Sequence, residues 1–279
     1  MNYCQVNPQG SFLEVPVIIV IGDIHGDYTA LTTILLHSKV INNKLNWIAK
    51  DTHLVILGDF LDRGSRGWHN TSDEKSEYKI IKLLLDLQKH AKRSSSEVSI
   101  VLGNHELMNI FGNFSYVSAL GMQDFDGKRK EYLKPGGKIA RMLACSTVTI
   151  LKIGSWMFSH AGVLPSISSK YKLEQINGII REFILGNTNT PENEIVNTLF
   201  WHRQYAGLPS CKTIADANNN YSANSQVIGH NVQPKGINSV CSGSLFRVDI
   251  GLSKAFGLKR RCQYLTILND IKPIIINID

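Results

Sequence analysis

Long hydrophobic runs are missing from this 279-residue chain. The apolar stretch VIIVI at 17–21 is too short to cross a bilayer and breaks straight into polar residues. The opening MNYCQVNPQGSF has no basic stretch followed by an apolar one, so no leader is expected, and a soluble, cytoplasmic protein without a membrane partner follows. Cysteine is scarce. Its five copies (Cys4, Cys145, Cys211, Cys241, Cys262) are odd in number, widely spaced and never arranged as CxxC. That argues against a zinc ribbon or a disulfide framework and for free thiols in a reducing compartment. Internal repeats and long linkers are absent as well, so residues 1–279 are expected to form one domain. There is no aromatic-interleaved basic stripe either. The net charge of +7 and pI near 9.1 come from scattered residues with brief clusters such as Lys128, Arg129 and Lys130. A nucleic-acid partner is therefore not expected, while a basic surface suits a phosphorylated substrate.

With 43% hydrophobic and 19% charged residues the chain can bury a full core. VIIVI is β-branched and reads as a core strand of a layered α/β fold, so the polar GDIHGD that follows it is a loop at the strand's carboxyl end, where open α/β sheets keep their chemistry. A helix over 28–37 leads to THLVILGDFLDRG, a second apolar run ending in glycine and acid. EYKIIKLLLDLQKH has helical spacing, and after KRSSSE comes VSIVLGNHE, a third such strand. Three strand, loop and helix units in succession fit a mixed or parallel sheet covered by helices. Farther on, SWMFSHAGV and SQVIGHNVQ each hold a short strand that stops at a histidine. LFRVDIGLS, CQYLTIL and PIIINI read as further strands, 172–185 as a helix, and ADANNNYSANS as a solvated surface loop.

Taken singly, each polar cluster has an ordinary explanation. Asp23 and His25 fit a capped turn, Asp59 a turn, and Asp62 with Arg63 a surface ion pair contributing about 1 kcal/mol or less. His160 and His230 fit satisfied strand-end histidines. Those explanations are independent of one another, whereas one metal site accounts for all five strand ends together. Carboxylate oxygen, amide oxygen and neutral imidazole suit manganese, iron, zinc or magnesium, and the lack of cysteine argues against a soft thiolate site.

GDIHGD (22–27), GDFLDRG (58–64), GNHE (103–106), HAG (160–162) and GH (229–230) resemble the ordered signature of the calcineurin-like metallophosphoesterases, in particular the phosphoprotein phosphatase branch. NHELMN, LKPGGKIARMLA, VIGHNVQPKGI and VDIGLSKAFG are similar to the Shewanella-like, bacterial-type phosphatases of that branch, and the likeness runs over about 17–260. It implies a four-layer α/β/β/α sandwich with mixed sheets and a dimetal site at the strand ends. Asp23, His25 and Asp59 would hold one divalent ion. Asp59, Asn104, His160 and His230 would hold the other, so that Asp59 bridges. Two cations about 3.5 to 4 Å apart supply hydroxide near neutral pH and clamp the phosphoryl oxygens. His105 would be the general acid, oriented by Asp62, with the reading of His105 as a further metal ligand the weaker one. Arg63 and Arg203 would offer guanidinium forks to the phosphate. Leu102 stands where eukaryotic serine/threonine phosphatases usually carry arginine, and Val232 replaces the second histidine of GHxH. Both departures favour the bacterial-like group over nucleases and general phosphodiesterases.

Substrate choice is less legible. The segments 65–77 and 113–134 follow metal motifs and are candidates to line the cleft, with Trp68, Tyr116 and Phe125 either shaping a phosphotyrosine pocket or simply packing. Lys128 to Lys130 read as a solvated loop or as an attractor of phosphopeptide or polyphosphate. The leading expectation is a phosphatase acting on phosphoserine, phosphothreonine or phosphotyrosine in a phosphorylated protein or peptide. The alternatives are a dinucleoside polyphosphate or RNA-cap hydrolase and, less favoured, a silent module that binds a phosphorylated ligand.

Overall fold

A computed structural model describes residues 4, 7–64, 73–257 and 262–278, so Trp68 lies outside the described residues. The strands are β1 (Ser11–Phe12), β2 (Val17–Ile21), β3 (Thr52–Ile56), β4 (Glu97–Val101), β5 (Thr147–Val148), β6 (Ile150–Ile153), β7 (Trp156–Ser159), β8 (Ser225–Ile228), β9 (Asn238–Val240), β10 (Leu245–Arg247), β11 (Cys262–Leu268) and β12 (Lys272–Ile278). They form two six-stranded mixed sheets, ordered β12-β11-β2-β3-β4-β5 and β1-β6-β7-β8-β10-β9. The helices are α1 (Tyr28–His37), α2 (Glu77–Ala91), α3 (Asn104–Ile110), α4 (Ala119–Gln123), α5 (Arg129–Leu133), α6 (Lys138–Ala144), α7 (Pro165–Ser168), α8 (Leu173–Ile184), α9 (Asn193–Val196) and α10 (Cys211–Asn220).

Strands covered on both faces lose the alternation of a half-exposed sheet, which is why β2 and β3 are nearly all apolar and buried. Val20, Leu54 and Ile56 of the first sheet share one core with Phe158, Val227 and Phe246 of the second. α1 packs against β11 and α2 against β4 on one outer face, and α8 packs against β6 on the other. The result is helix, sheet, sheet, helix, in agreement with the expected four layers.

Register decides where the chemistry emerges. β2, β3 and β4 run parallel with Ile21 opposite Ile56 and Ile56 opposite Ile100. Their carboxyl-terminal loops therefore leave the sheet side by side. In the second sheet β7 and β8 are parallel with Ser159 opposite Ile228, so His160 and His230 follow at one edge.

Two expectations need correction. ADANNNYSANS is not a loop: its first half completes α10. Ser210 caps that helix by accepting from the Thr213 amide, and Ile214, Ala217 and Asn218 are buried. Asn218 donates to the carbonyls of Asn224 and Ser244, so an asparagine that reads as solvent-seeking is consumed internally. Cysteine is the second correction. Cys4 pairs with Cys145 and Cys211 with Cys241, leaving Cys262 as the free, buried thiol. The partners are 141 and 30 residues apart, distances at which spacing carries no signal and only the fold creates proximity. Four of the five cysteines are therefore paired and do not indicate a reducing compartment. Among the described residues no helix is long and apolar enough to cross a membrane.

Candidate active site

Asp23, His25, Asp59, Asn104, His105, His160 and His230 all leave strand ends and are all buried. The backbone is bent to bring them together. His25, Asp59, Asp62 and His230 have positive φ (41°, 45°, 65° and 63°), a region that non-glycine residues occupy only when the surroundings impose it. Two glycines are obligatory for a different reason, because a Cβ on Gly103 would stand 2.2 Å from Asp59 Oδ1 and one on Gly229 would stand 2.2 Å from Asp23 Oδ1.

The histidines are oriented by carbonyls. His25 Nδ1 lies 3.1 Å from Leu61 O, His160 Nδ1 2.8 Å from Leu57 O and His230 Nε2 3.4 Å from Trp201 O. Each ring donates on that side and turns its other nitrogen inward. His160 Nε2 then faces Asn104 Oδ1 at 2.8 Å and Asp59 Oδ2 at 3.3 Å, and His230 Nδ1 faces the same Asn104 oxygen at 3.0 Å. His25 Nε2 is 3.7 Å from Asp59 Oδ2. Ligand atoms of His25, Asp59 and His105 form one group, and those of Asp59, His160 and His230 another, each within 4.8 Å. Asp59 belongs to both. Asp23 borders the cluster, its carboxylate accepting from the His230 amide at 3.0 and 3.2 Å.

The converging groups shift one another's affinity for protons. Burial drives the Asp23 carboxyl well above its usual range, with the Asp249 charge adding to it. Burial acts on Asp59 in the same direction, but the surrounding His160, His105 and His25 outweigh it and hold that carboxyl well below its usual range. His160 is pushed up to about 10: burial opposes its charge, but Asp59 and Asp23 prevail. His230 is driven down to about 3 by burial and by the charge on His160. A pocket of lone pairs in which one imidazole has to become the counter-cation is a pocket whose chemistry fits divalent metal.

His105 differs from the other three histidines. Its Nδ1 is held at 2.8 Å by a carboxylate, Asp62 Oδ2, while its Nε2 stands 3.8 Å from Asp59 Oδ2 and its ring meets Tyr116 edge-on at 5.0 Å. Arg203 lies at the exposed rim, where Nη1 donates to His230 O at 3.1 Å and to Asn231 Oδ1 at 3.2 Å. Arg63 is placed otherwise. It is wholly buried, with Nη1 3.0 Å from Asp27 Oδ2 and 3.0 Å from Ser253 Oγ.

The calcineurin-like phosphoesterase family model matches residues 16–243. The chain belongs to the calcineurin-like phosphoesterases. It is 26% identical to Shewanella-like protein phosphatase 2 of Arabidopsis thaliana, over 88% of this chain and 74% of that protein. It is 30% identical to Shewanella-like protein phosphatase 1 of Plasmodium berghei, over 85% and 67%. In fold it resembles a cold-active protein-tyrosine phosphatase of a psychrophilic Shewanella, with TM-score 0.77 and 20% identity over 96% of this chain and 82% of that one. This phosphoesterase is accordingly a hydrolase of phosphoesters.

Several residues that shape the phosphoesterase site escape a reading of the sequence. Glu106 accepts from the amides of Leu61, Asp59 and Gly103 at 3.0, 2.9 and 2.8 Å, tying the loop after β3 to the loop after β4. Its place in GNHE was the only available signal. Asp27 caps α1 by accepting from the Ala30 amide and also holds Arg63. Trp201 and Phe256 set their rings edge-on to His230 and His25. Of the two described aromatics expected near the cleft, Tyr116 is there, edge-on to His105, whereas Phe125 is in the core. The basic cluster divides likewise, for Lys128 and Lys130 are exposed while Arg129 is completely buried.

Proposed function

We propose that this phosphoesterase is a metal-dependent phosphoprotein phosphatase that hydrolyses phosphomonoesters, with phosphotyrosine the favoured side chain. The reading is carried by the lone pairs of His160, His230, Asn104 and Asp59 directed at one buried space. His25, Asp59 and Asp23 would hold one divalent ion, and Asp59, Asn104, His160 and His230 a second, with manganese the leading candidate. Ions bound there supply Lewis acidity, lowering the pKa of water and neutralising phosphoryl charge.

The remaining roles belong to the chain. Arg203, with one nitrogen anchored to His230 O and the rest of its fork at the rim, is placed to bind phosphate oxygen and orient the ester. Arg63 supports this arrangement from within by bracing Asp27 and Ser253. His105 donates a proton from Nε2 to the leaving oxygen, and Asp62 at its Nδ1 stabilises the charged ring and fixes its plane. Tyr116 and Trp201, each more than a third exposed beside these histidines, offer ring surface to an aromatic leaving group. The cold-active relative's description as a tyrosine phosphatase points the same way.

The test is turnover of a phosphotyrosine peptide, a phosphoserine peptide and a dinucleoside tetraphosphate side by side after metal stripping and manganese add-back. Faster monoester hydrolysis that depends on added metal supports the proposal. Preference for the tetraphosphate replaces it with an anhydride hydrolase.

A further inference from the structure

We propose that Arg129 is a positioning residue for phosphoryl transfer, fixing the Asp62 carboxylate in the one orientation that holds His105 beneath the leaving group. The inference rests on the reading of His105 as the leaving-group acid and adds what keeps that acid in place.

The geometry is specific. Asp62 Oδ1 receives Arg129 Nη2 at 2.8 Å and Asn109 Nδ2 at 2.8 Å, which leaves Oδ2 to His105 Nδ1 at 2.8 Å. Arg129 is itself fixed on three sides. Its Nε donates to Asn109 Oδ1 at 2.7 Å, and its Nη1 donates to Glu77 Oε2 at 2.7 Å and to Gly121 O at 3.2 Å. Its guanidinium carbon lies 5.1 Å from the centre of the Phe125 ring. Arg129, Asp62 and Asn109 have no exposed surface. Asn109 serves both partners with one amide, its oxygen on Arg129 and its nitrogen on Asp62 and on the His105 carbonyl at 2.8 Å. Asp62 also has a positive φ of 65°, so its side chain is aimed by a backbone that needs outside support.

Only a planar fork fits this role, because the same group must reach Asp62, Asn109 and Glu77 in different directions; an ammonium at the end of a flexible stem cannot. A stabilising purpose alone is a poor explanation, since a buried ion pair contributes little beyond what an apolar residue of equal volume supplies. A carboxylate carrying two donors on one oxygen, by contrast, cannot rotate, and the imidazole bound to its other oxygen cannot drift.

The experiment uses the metal-loaded protein and three esters, phenyl, 4-nitrophenyl and 2,4-dinitrophenyl phosphate, whose leaving oxygens need a proton progressively less. His105→Asn, Arg129→Met and Arg129→Lys are compared for kcat, KM and bound metal. Expected is a fall in kcat of about 10²-fold for Arg129→Met on phenyl phosphate, shrinking toward the dinitrophenyl ester in parallel with His105→Asn, with KM and metal content unchanged. Arg129→Lys, which keeps charge and bulk should Arg129→Met fail to fold, is expected to show the same leaving-group slope at smaller amplitude. Guanidinium ion is expected to restore an Arg129→Ala variant and not His105→Asn. An equal loss on all three esters for the Arg129 variants, beside a leaving-group slope for His105→Asn, overturns the inference alone. A flat response for His105→Asn removes the acid assignment, and the role of Arg129 with it.

Discussion

Oδ2 of Asp59 lies 3.3 Å from Nε2 of His160, with both side chains closed to solvent and the far nitrogen of the histidine already spent on Leu57 O. Asp59 also belongs to both groups of candidate ligands. Asp59→Asn removes the charge that both ions would share and keeps the shape. The variant is expected to lose bound metal and at least about 10²-fold in activity, since even residues that merely orient ligands cost 10- to 100-fold. Elemental analysis beside a turnover assay checks this, and full metal content in an active variant contradicts it.

Gly103 meets Asp59 at closer range than any side chain permits, and part of what a Cβ would strike is the Asp59 backbone nitrogen at 2.3 Å. Backbone does not swing aside. Gly103→Ala is expected to cost about 1 to 3 kcal/mol and to weaken metal binding, because the displaced atoms belong to the residue common to both ligand groups. Urea unfolding with and without metal reads both effects, and wild-type stability together with wild-type metal affinity is the contrary result.

Acid sensitivity has an origin outside the cleft. His53 is buried, with Nε2 2.8 Å from Ser99 Oγ and the ring of Phe12 against it. Burial lowers its pKa from 6.5 to about 3. An unfolded chain takes up a proton at this histidine near 6.5, whereas the folded chain refuses it until about 3. The stability His53 permits is therefore complete above pH 6.5 and declines on acidification toward 3, by up to about 1.4 kcal/mol per pH unit. His53→Gln is expected to flatten that slope in unfolding curves recorded from pH 7.5 down to 4.5. An unchanged slope assigns the sensitivity to other groups.

The Cys211–Cys241 disulfide closes a loop of 30 residues beside the segment that carries Arg203, which Arg247 holds by donating to the carbonyls of Ala206 and Gly207 at 2.7 Å each. A cross-link of that span restricts the unfolded chain by about 3 to 4 kcal/mol. Reductant is expected to lower the melting temperature and leave bound metal in place, as is the Cys211→Ser, Cys241→Ser double variant, which keeps Cys4–Cys145. Calorimetry that finds no change on reduction contradicts the pairing.

What the sequence disclosed and what it hid separate along one line. α1 and α2 follow from apolar periodicity within each segment, and the strand ends bearing Asp23, Asp59, Asn104, His160 and His230 follow from short motifs in which every necessary neighbour is within a few residues. Arg129 is the opposite case. In sequence it is one of three consecutive basic residues, and its burial is decided by Asp62, 67 positions away, and Glu77, 52 positions away. The disulfides and Asn218 escape for the same reason: a polar or sulfur atom is claimed by a partner that only the completed fold delivers. The burial of Arg63 likewise depends on Ser253, 190 residues off.

The most direct measurement is metal content against turnover of a phosphotyrosine peptide, as manganese is added stepwise to protein stripped by chelation. Activity is expected to be absent at the start and to rise to a plateau at two ions per chain, with Asp59→Asn inactive throughout. Full hydrolysis by the stripped protein, or saturation of activity with no ion bound, would contradict the dimetal site.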